Sequence, residues 1–82
     1  MVDRAIRKII ALERAAAERE LVGLQKRLEV FEGRYGMSSA EFHRRFRAGE
    51  LGDTADFVEW SVFYEMCESV RERCEMLATE AA

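Results

Sequence analysis

RYGMSSAEFHRRFRAGELGDTADFVEW, residues 34–60, is the stretch of this chain that does not read as a continuous charged helix. Three glycines (Gly36, Gly49, Gly52) and the one histidine, His43, fall in it. Every aromatic side chain lies between Phe31 and Tyr64, in it or just beside it. Ser38 followed three residues later by Glu41 has the form of a capping box, which opens a helix by satisfying its first free N–H groups. That predicts a short helix over about 39–48, with Phe42 and Phe46 one turn apart on one face and Gly49 stopping it. Glu50-Leu51-Gly52 then reads as a tight loop. Leu51 is expected to tuck inward and Asp53 to cap the next helix. So read, the stretch is a corner between two longer elements.

Outward toward the N-terminus, Val2, Ile6, Ile9, Ile10, Ala17, Leu21, Leu24, Leu28, Phe31 and Tyr35 recur at steps built from threes and fours. At 100° per residue they share one arc, predicting a long helix over 3–33 that starts at Asp3 and ends at Gly33 and Gly36. Glu13 and Glu20 also fall on that arc, and a buried seam would not choose them. The section RAAAERE is therefore expected to be thinly covered. Toward the C-terminus, Phe57, Trp60, Tyr64, Cys67, Val70, Cys74 and Leu77 form the seam of a second long helix over 54–78. Val62, Phe63 and Met66 widen its apolar face beyond the roughly 100° stripe that a two-helix hairpin needs. Trp60 is expected inside and Phe63 off the main seam.

The expected fold is all-α: an antiparallel hairpin of two long helices joined by a short corner helix. It forms a single domain over 1–82, and the wide face predicts a homo-oligomeric helix bundle. At 82 residues one core supplies only about 3–5 kcal/mol, so a second subunit or partner is a natural supplement. Cys67 and Cys74 do not supply a staple. Seven residues on a helix is about 10.5 Å of rise, beyond the roughly 7 Å that a disulfide spans.

Charge is uneven. Residues 1–36 carry a balance of +2 and residues 53–82 a balance of −6, within a net −3. That suits two helices lying against each other and argues against nucleic acid as the default partner. No run of about 20 apolar residues marks a membrane span, and no signal-peptide core is present. With two unpaired cysteines, the cytoplasm is the expected compartment.

The residues that carry chemistry point away from catalysis. His43 is flanked by arginines rather than by a positioned Ser, Cys, Asp or Glu, and reads as a surface histidine. Glu50, Asp53, Asp56 and Glu59 lack the loop positions of a calcium site and suit helix N-termini. Cys67 and Cys74 read as small packing residues. No phosphate loop or nucleophile motif is present. The expectation is no enzyme, no metal and no cofactor.

The segments YGMSSAEF (35–42), RFRAGELGD (45–53) and DFVEW with YEM (56–60, 64–66) together resemble a group of very small helical proteins of bacteria and archaea. That group shares a long charged helix, this type of capping, a GELGD loop and a D-x-x-D-F-x-E-W helix. The resemblance spans about residues 24–74. It implies an antitoxin-type partner of a small toxin-like protein encoded beside it, and carries over no catalytic residue. Cys67 and Cys74 depart from the pattern, since similar proteins more often have aromatic or leucine residues there.

The functional expectation is a non-catalytic protein–protein interaction module. Its partner is itself, as a homodimer, and/or a small cognate protein encoded nearby. The contact residues would be Val62, Phe63 and Met66 of the last helix with Ile6 and Ile10 of the first. Residues 1–10 would overhang the hairpin. A second reading is a nucleic-acid-binding regulator using Arg44, Arg45 and Arg47 of HRRFR with Arg4, Arg7 and Lys8. A third is a purely structural homodimer.

Overall fold

A computed structural model describes the chain over residues 2–81, and its side chains over residues 3–80. It is all-α, with three helices in the expected order: α1 (Val2–Tyr35), α2 (Ser39–Arg47) and α3 (Ala55–Ala81). α1 and α3 run antiparallel, and α2 packs across their closed end, mainly on α3. The molecule measures 54 × 21 × 17 Å. Its long dimension matches α1, whose 34 residues rise about 51 Å.

The helix ends follow from local chemistry, with two corrections to the sequence reading. α1 runs through Gly33 and stops at Gly36, whose φ of 65° is the left-handed conformation that ends a helix. The Gly36 N–H donates to the Glu32 carbonyl at 2.8 Å. Gly33 has ordinary helical φ and terminates nothing. Ser38 caps α2, its Oγ accepting from the Glu41 N–H at 3.1 Å. The reciprocal half of the box is absent, because the Glu41 carboxylate turns to Arg44 at 2.7 Å. A residue from α1 takes up another free N–H at this end: the Ser39 N–H donates to the Glu32 carboxylate at 2.8 Å. At the far end Gly49 (φ 77°) lets the Glu50 N–H reach the Arg45 carbonyl at 3.0 Å. The cap of α3 is Thr54, not Asp53: the Phe57 N–H donates to Thr54 Oγ1 and the Val58 N–H to the Thr54 carbonyl. The shorter Thr side chain sits at the required position, one residue before the first helical one.

The core is the seam read from the sequence. Ala17, Leu24, Leu28 and Phe31 of α1 meet Trp60, Cys67 and Val70 of α3, and Phe42 of α2 closes the corner. Phe57, Tyr64, Cys74, Leu77, Leu21, Phe46 and Leu51 pack around them, half-buried. The facing pairs Arg34–Asp56, Phe31–Trp60, Arg27–Phe63 and Glu20–Arg73 keep one register along the length. In that register the end of α3 lies opposite about residue 10 of α1, so residues before it extend past α3. Ile6 and Ile9 there are exposed and Ile10 is half-buried. Val2, the first residue of the expected stripe, has a side chain outside the described ones.

Trp60 is the centre of this arrangement. It is fully buried, and the Phe42 ring lies parallel to it with centroids 3.8 Å apart. Phe31 and Tyr35 of α1 stack on it at 5.6 and 5.7 Å. Its indole N–H donates to Ser39 Oγ at 2.9 Å. One side chain therefore touches all three helices and has its only polar atom satisfied. Trp60→Ala is expected to remove about 3–5 kcal/mol of stability, the range for a large buried aromatic. Chemical denaturation followed by circular dichroism measures it. A loss below about 1 kcal/mol would mean the corner holds without its tryptophan.

Candidate functional site

α2 covers only one side of the α1–α3 seam. On that side His43 stacks on Tyr64 at 4.5 Å and approaches Glu65 at 3.5 Å. His43 is thus half-buried and packed, not the plain surface histidine read from its neighbours in sequence. The arginines of HRRFR each stand near a carboxylate: Arg44 by Glu41 (2.7 Å), Arg45 by Glu50 (3.7 Å), Arg47 by Glu65 (3.9 Å). A basic patch compensated in this way presents little free charge to a phosphate backbone. Beside the N-terminus of α2 lies a cleft of about 490 Å³ lined by Glu29, Glu32, Cys67, Glu68 and Arg71 among others. Burial pushes the Cys67 thiol above its ordinary value, which keeps it protonated and a poor nucleophile.

Among the described residues, nothing covers the opposite side of the seam. A shallow groove runs between α1 and α3, bounded on α1 by Glu20, Gly23, Arg27, Val30 and Arg34. On α3 it is bounded by Glu59, Val62, Phe63, Met66, Ser69 and Arg73. Val62 and Met66 are 48% and 43% exposed, and Val58 and Val30 are exposed as well. These positions turn away from the core because α3 carries apolar residues on both edges of its seam. α2 has side chains enough to cover one edge only.

The sequence-predicted contact residues divide. Val62 and Met66 lie open on this groove. Phe63 is half-buried, tilted against Phe31 at 6.4 Å, with the Arg27 guanidinium 4.9 Å above its ring. It is thus both a wall of the groove and part of the core edge. Ile6 and Ile10 are near the far end of α1, away from Val62 and Met66 along the rod. Gly23, Arg27 and Val30 escaped the sequence reading. Their signal was present in the same steps of three and four that placed Glu20 beside the seam, but on its edge rather than its centre.

At the closed end of the groove a polar clasp joins α1 to α3. Asp56 accepts from the Tyr35 hydroxyl at 2.5 Å and from Arg34 Nη1 at 2.7 Å. The Arg34 guanidinium also lies 5.4 Å from the Phe31 ring centroid. Arg73–Glu20, at 3.5 Å, is a second link between the long helices. Among the described residues no group of His, Cys, Asp and Glu is arranged to hold a metal, and no helix is long and apolar enough to cross a membrane. No protein-family model, curated protein or solved structure matches the chain.

The clasp gives stability a pH dependence whose sign is fixed. The Tyr35 hydroxyl, then Arg34, holds the Asp56 carboxyl below the ordinary carboxylate range. A group whose pKa falls on folding stabilises above its unfolded value of about 4, and that stability is lost as pH drops through the folded value. The same hydrogen bond, aided by burial, raises Tyr35. Its contribution is present below about pH 10 and lost as pH climbs through the raised value. The urea midpoint should therefore decline at both extremes. Asp56→Asn should flatten the acid limb, leaving the part due to Glu41, which Arg44 likewise lowers. Tyr35→Phe should flatten the alkaline limb. An acid limb unaltered by Asp56→Asn would show that the clasp does not form in solution.

Proposed function

We propose that this chain is a non-catalytic protein-interaction module that works by burying the open α1–α3 face against another polypeptide. The observation that carries the reading is the exposure of Val62, Met66 and Val30 on the side of the seam that α2 leaves uncovered. Exposed apolar side chains in isolation mean little. Here Val62, Met66 and Val30 line one groove with a half-buried aromatic wall, Phe63, and a charged rim of Glu20, Arg27, Arg34, Glu59 and Arg73. An apolar strip with a polar rim is the anatomy of a docking surface.

The resemblance carried by YGMSSAEF, GELGD and DFVEW gives this module a concrete form. It would be an antitoxin-like partner that binds a small protein encoded beside it and occludes that protein's working surface. Nucleic-acid binding through Arg44, Arg45 and Arg47 is the weaker reading, since each of those cations has a carboxylate nearby.

Native mass spectrometry tests the module, on the chain alone and after co-expression with its genomic neighbour. The wild type is expected in complex with another chain, and Val62→Glu/Met66→Glu is expected as a single chain with unchanged helicity. A mixed complex supports the antitoxin-like form. A complex of this chain with itself alone removes that form and leaves the module standing. A bare wild-type monomer in both settings overturns the reading.

A further inference from the structure

α1 presents a heptad along the edge of the open face: Glu13, Ala16, Glu20, Gly23, Arg27, Val30, Arg34. The steps alternate three and four without a break over about 32 Å of helix. Glu20, Gly23, Arg27, Val30 and Arg34 line the groove. Glu13 and Ala16 continue the row by helical periodicity, drifting about 20° per heptad as such a stripe does on a straight helix. The order of charge along the row is acid, acid, then base, base, with Gly23 at its midpoint. It reverses sign about its own centre.

A row of that kind is complementary to itself run backwards. We propose that the open face docks a second copy of this chain, with the two α1 helices antiparallel and a two-fold axis passing beside Gly23. Glu13 then faces the second copy's Arg34, and Glu20 faces the second copy's Arg27. Ala16 faces the second copy's Val30, and the two Gly23 residues face each other. The proposal rests on the reading of this face as a docking surface and names what occupies it.

Three features fit that pairing. Glu13 makes no ion pair among the described residues and lies on an arc that otherwise turns inward; an opposing arginine gives it a role. Parallel pairing would set Glu13 and Glu20 against their own copies, and Arg27 and Arg34 likewise, which like-charge repulsion disfavours. Gly23 is exposed on the helix surface, and no close contact within its own chain calls for a glycine there. A Cβ built there meets nothing within 4 Å, and glycine within a helix is less stable than alanine. Facing a helix of the second copy, its missing side chain permits close approach, at the short end of the usual interaxial range of about 8–10 Å. Met66 and Phe63 border the same depression as Gly23, so the apolar part of the face falls next to the axis. The isologous geometry yields a closed dimer, a bundle of four long helices.

Sedimentation equilibrium of the full chain over a range of concentrations tests this. The wild type is expected to dimerise. Gly23→Leu and Glu20→Arg are each expected to weaken the dimer on the order of tenfold or more. Glu20→Arg/Arg27→Glu in one chain restores the sign pattern for antiparallel pairing and is expected to recover most of the affinity. Circular dichroism melts at concentrations where only monomer is present separate these effects from folding. A dimer indifferent to Gly23→Leu and Glu20→Arg, or a double variant no better than the single, overturns the proposal. So does a monomeric wild type. If that monomer still forms a mixed complex with its neighbour that Val62→Glu/Met66→Glu abolishes, the second copy fails as occupant while the interaction-module reading stands. If it binds nothing, both fail together.

Discussion

The structure depends on one constraint: the indole of Trp60 has to be covered from several directions, and its N–H has to be met. Two antiparallel helices alone give it Phe31 and Tyr35 on one side. The remaining ring face needs an aromatic from elsewhere, and the N–H needs an acceptor in a place water does not reach. α2 supplies both within four residues, Ser39 for the N–H and Phe42 for the ring. The turn chemistry around it is subordinate to this task. Gly36 reverses the chain after Tyr35, Ser38 starts the short helix, and the Glu32 carboxylate holds the Ser39 N–H. Ser39 is thereby fixed at both its backbone and its side chain, which makes it a rigid acceptor.

Meeting that constraint leaves an asymmetry. A nine-residue helix that must lie over Trp60 covers one side of the seam near the closed end and nothing of the other. α3 nevertheless carries apolar side chains toward both sides. Val62 and Met66 contribute nothing to the corner, and a hairpin selected only for its own stability would gain solubility from polar residues there. Their exposure on the open side, beside a half-buried phenylalanine, is what the proposed docking surface rests on. The rim follows the same logic. Arg27 lies over Phe63 and Arg34 beside Phe31, so each guanidinium covers apolar surface while its charge stays in reach of an incoming group.

Much of the fold was legible in the sequence because apolar periodicity and cap chemistry are local. The steps of three and four from Phe57 to Leu77 placed that seam residue for residue, and Ser38 with Glu41 located the start of α2. What was not legible required distance. Glu32 as a substitute cap for Ser39 and His43 stacked on Tyr64 both depend on which surfaces meet across the corner. Phe63 shows the limit most clearly. Its angle on the helix wheel puts it off the centre of the seam, but that angle does not say that Arg27 and Phe31 of α1 reach out to meet it. The edge of α1 was overlooked for a different reason. A stripe of Glu, Ala, Gly, Arg and Val keeps the steps of three and four but has no hydrophobic signature to single it out.

Glu13 and Glu20 join these levels. Acidic side chains beside an apolar arc weaken a hairpin that has no other partner, because they thin its core where α1 is already rich in alanine. The Arg73 contact at 3.5 Å offsets little of this, since exposed ion pairs contribute about 0–1 kcal/mol. Charges in such places are better understood as selecting among partners and orientations than as stabilising the chain that carries them. A uniformly apolar edge would accept any helix in either direction. An edge with two acids at one end and two bases at the other accepts one direction and rejects its reverse.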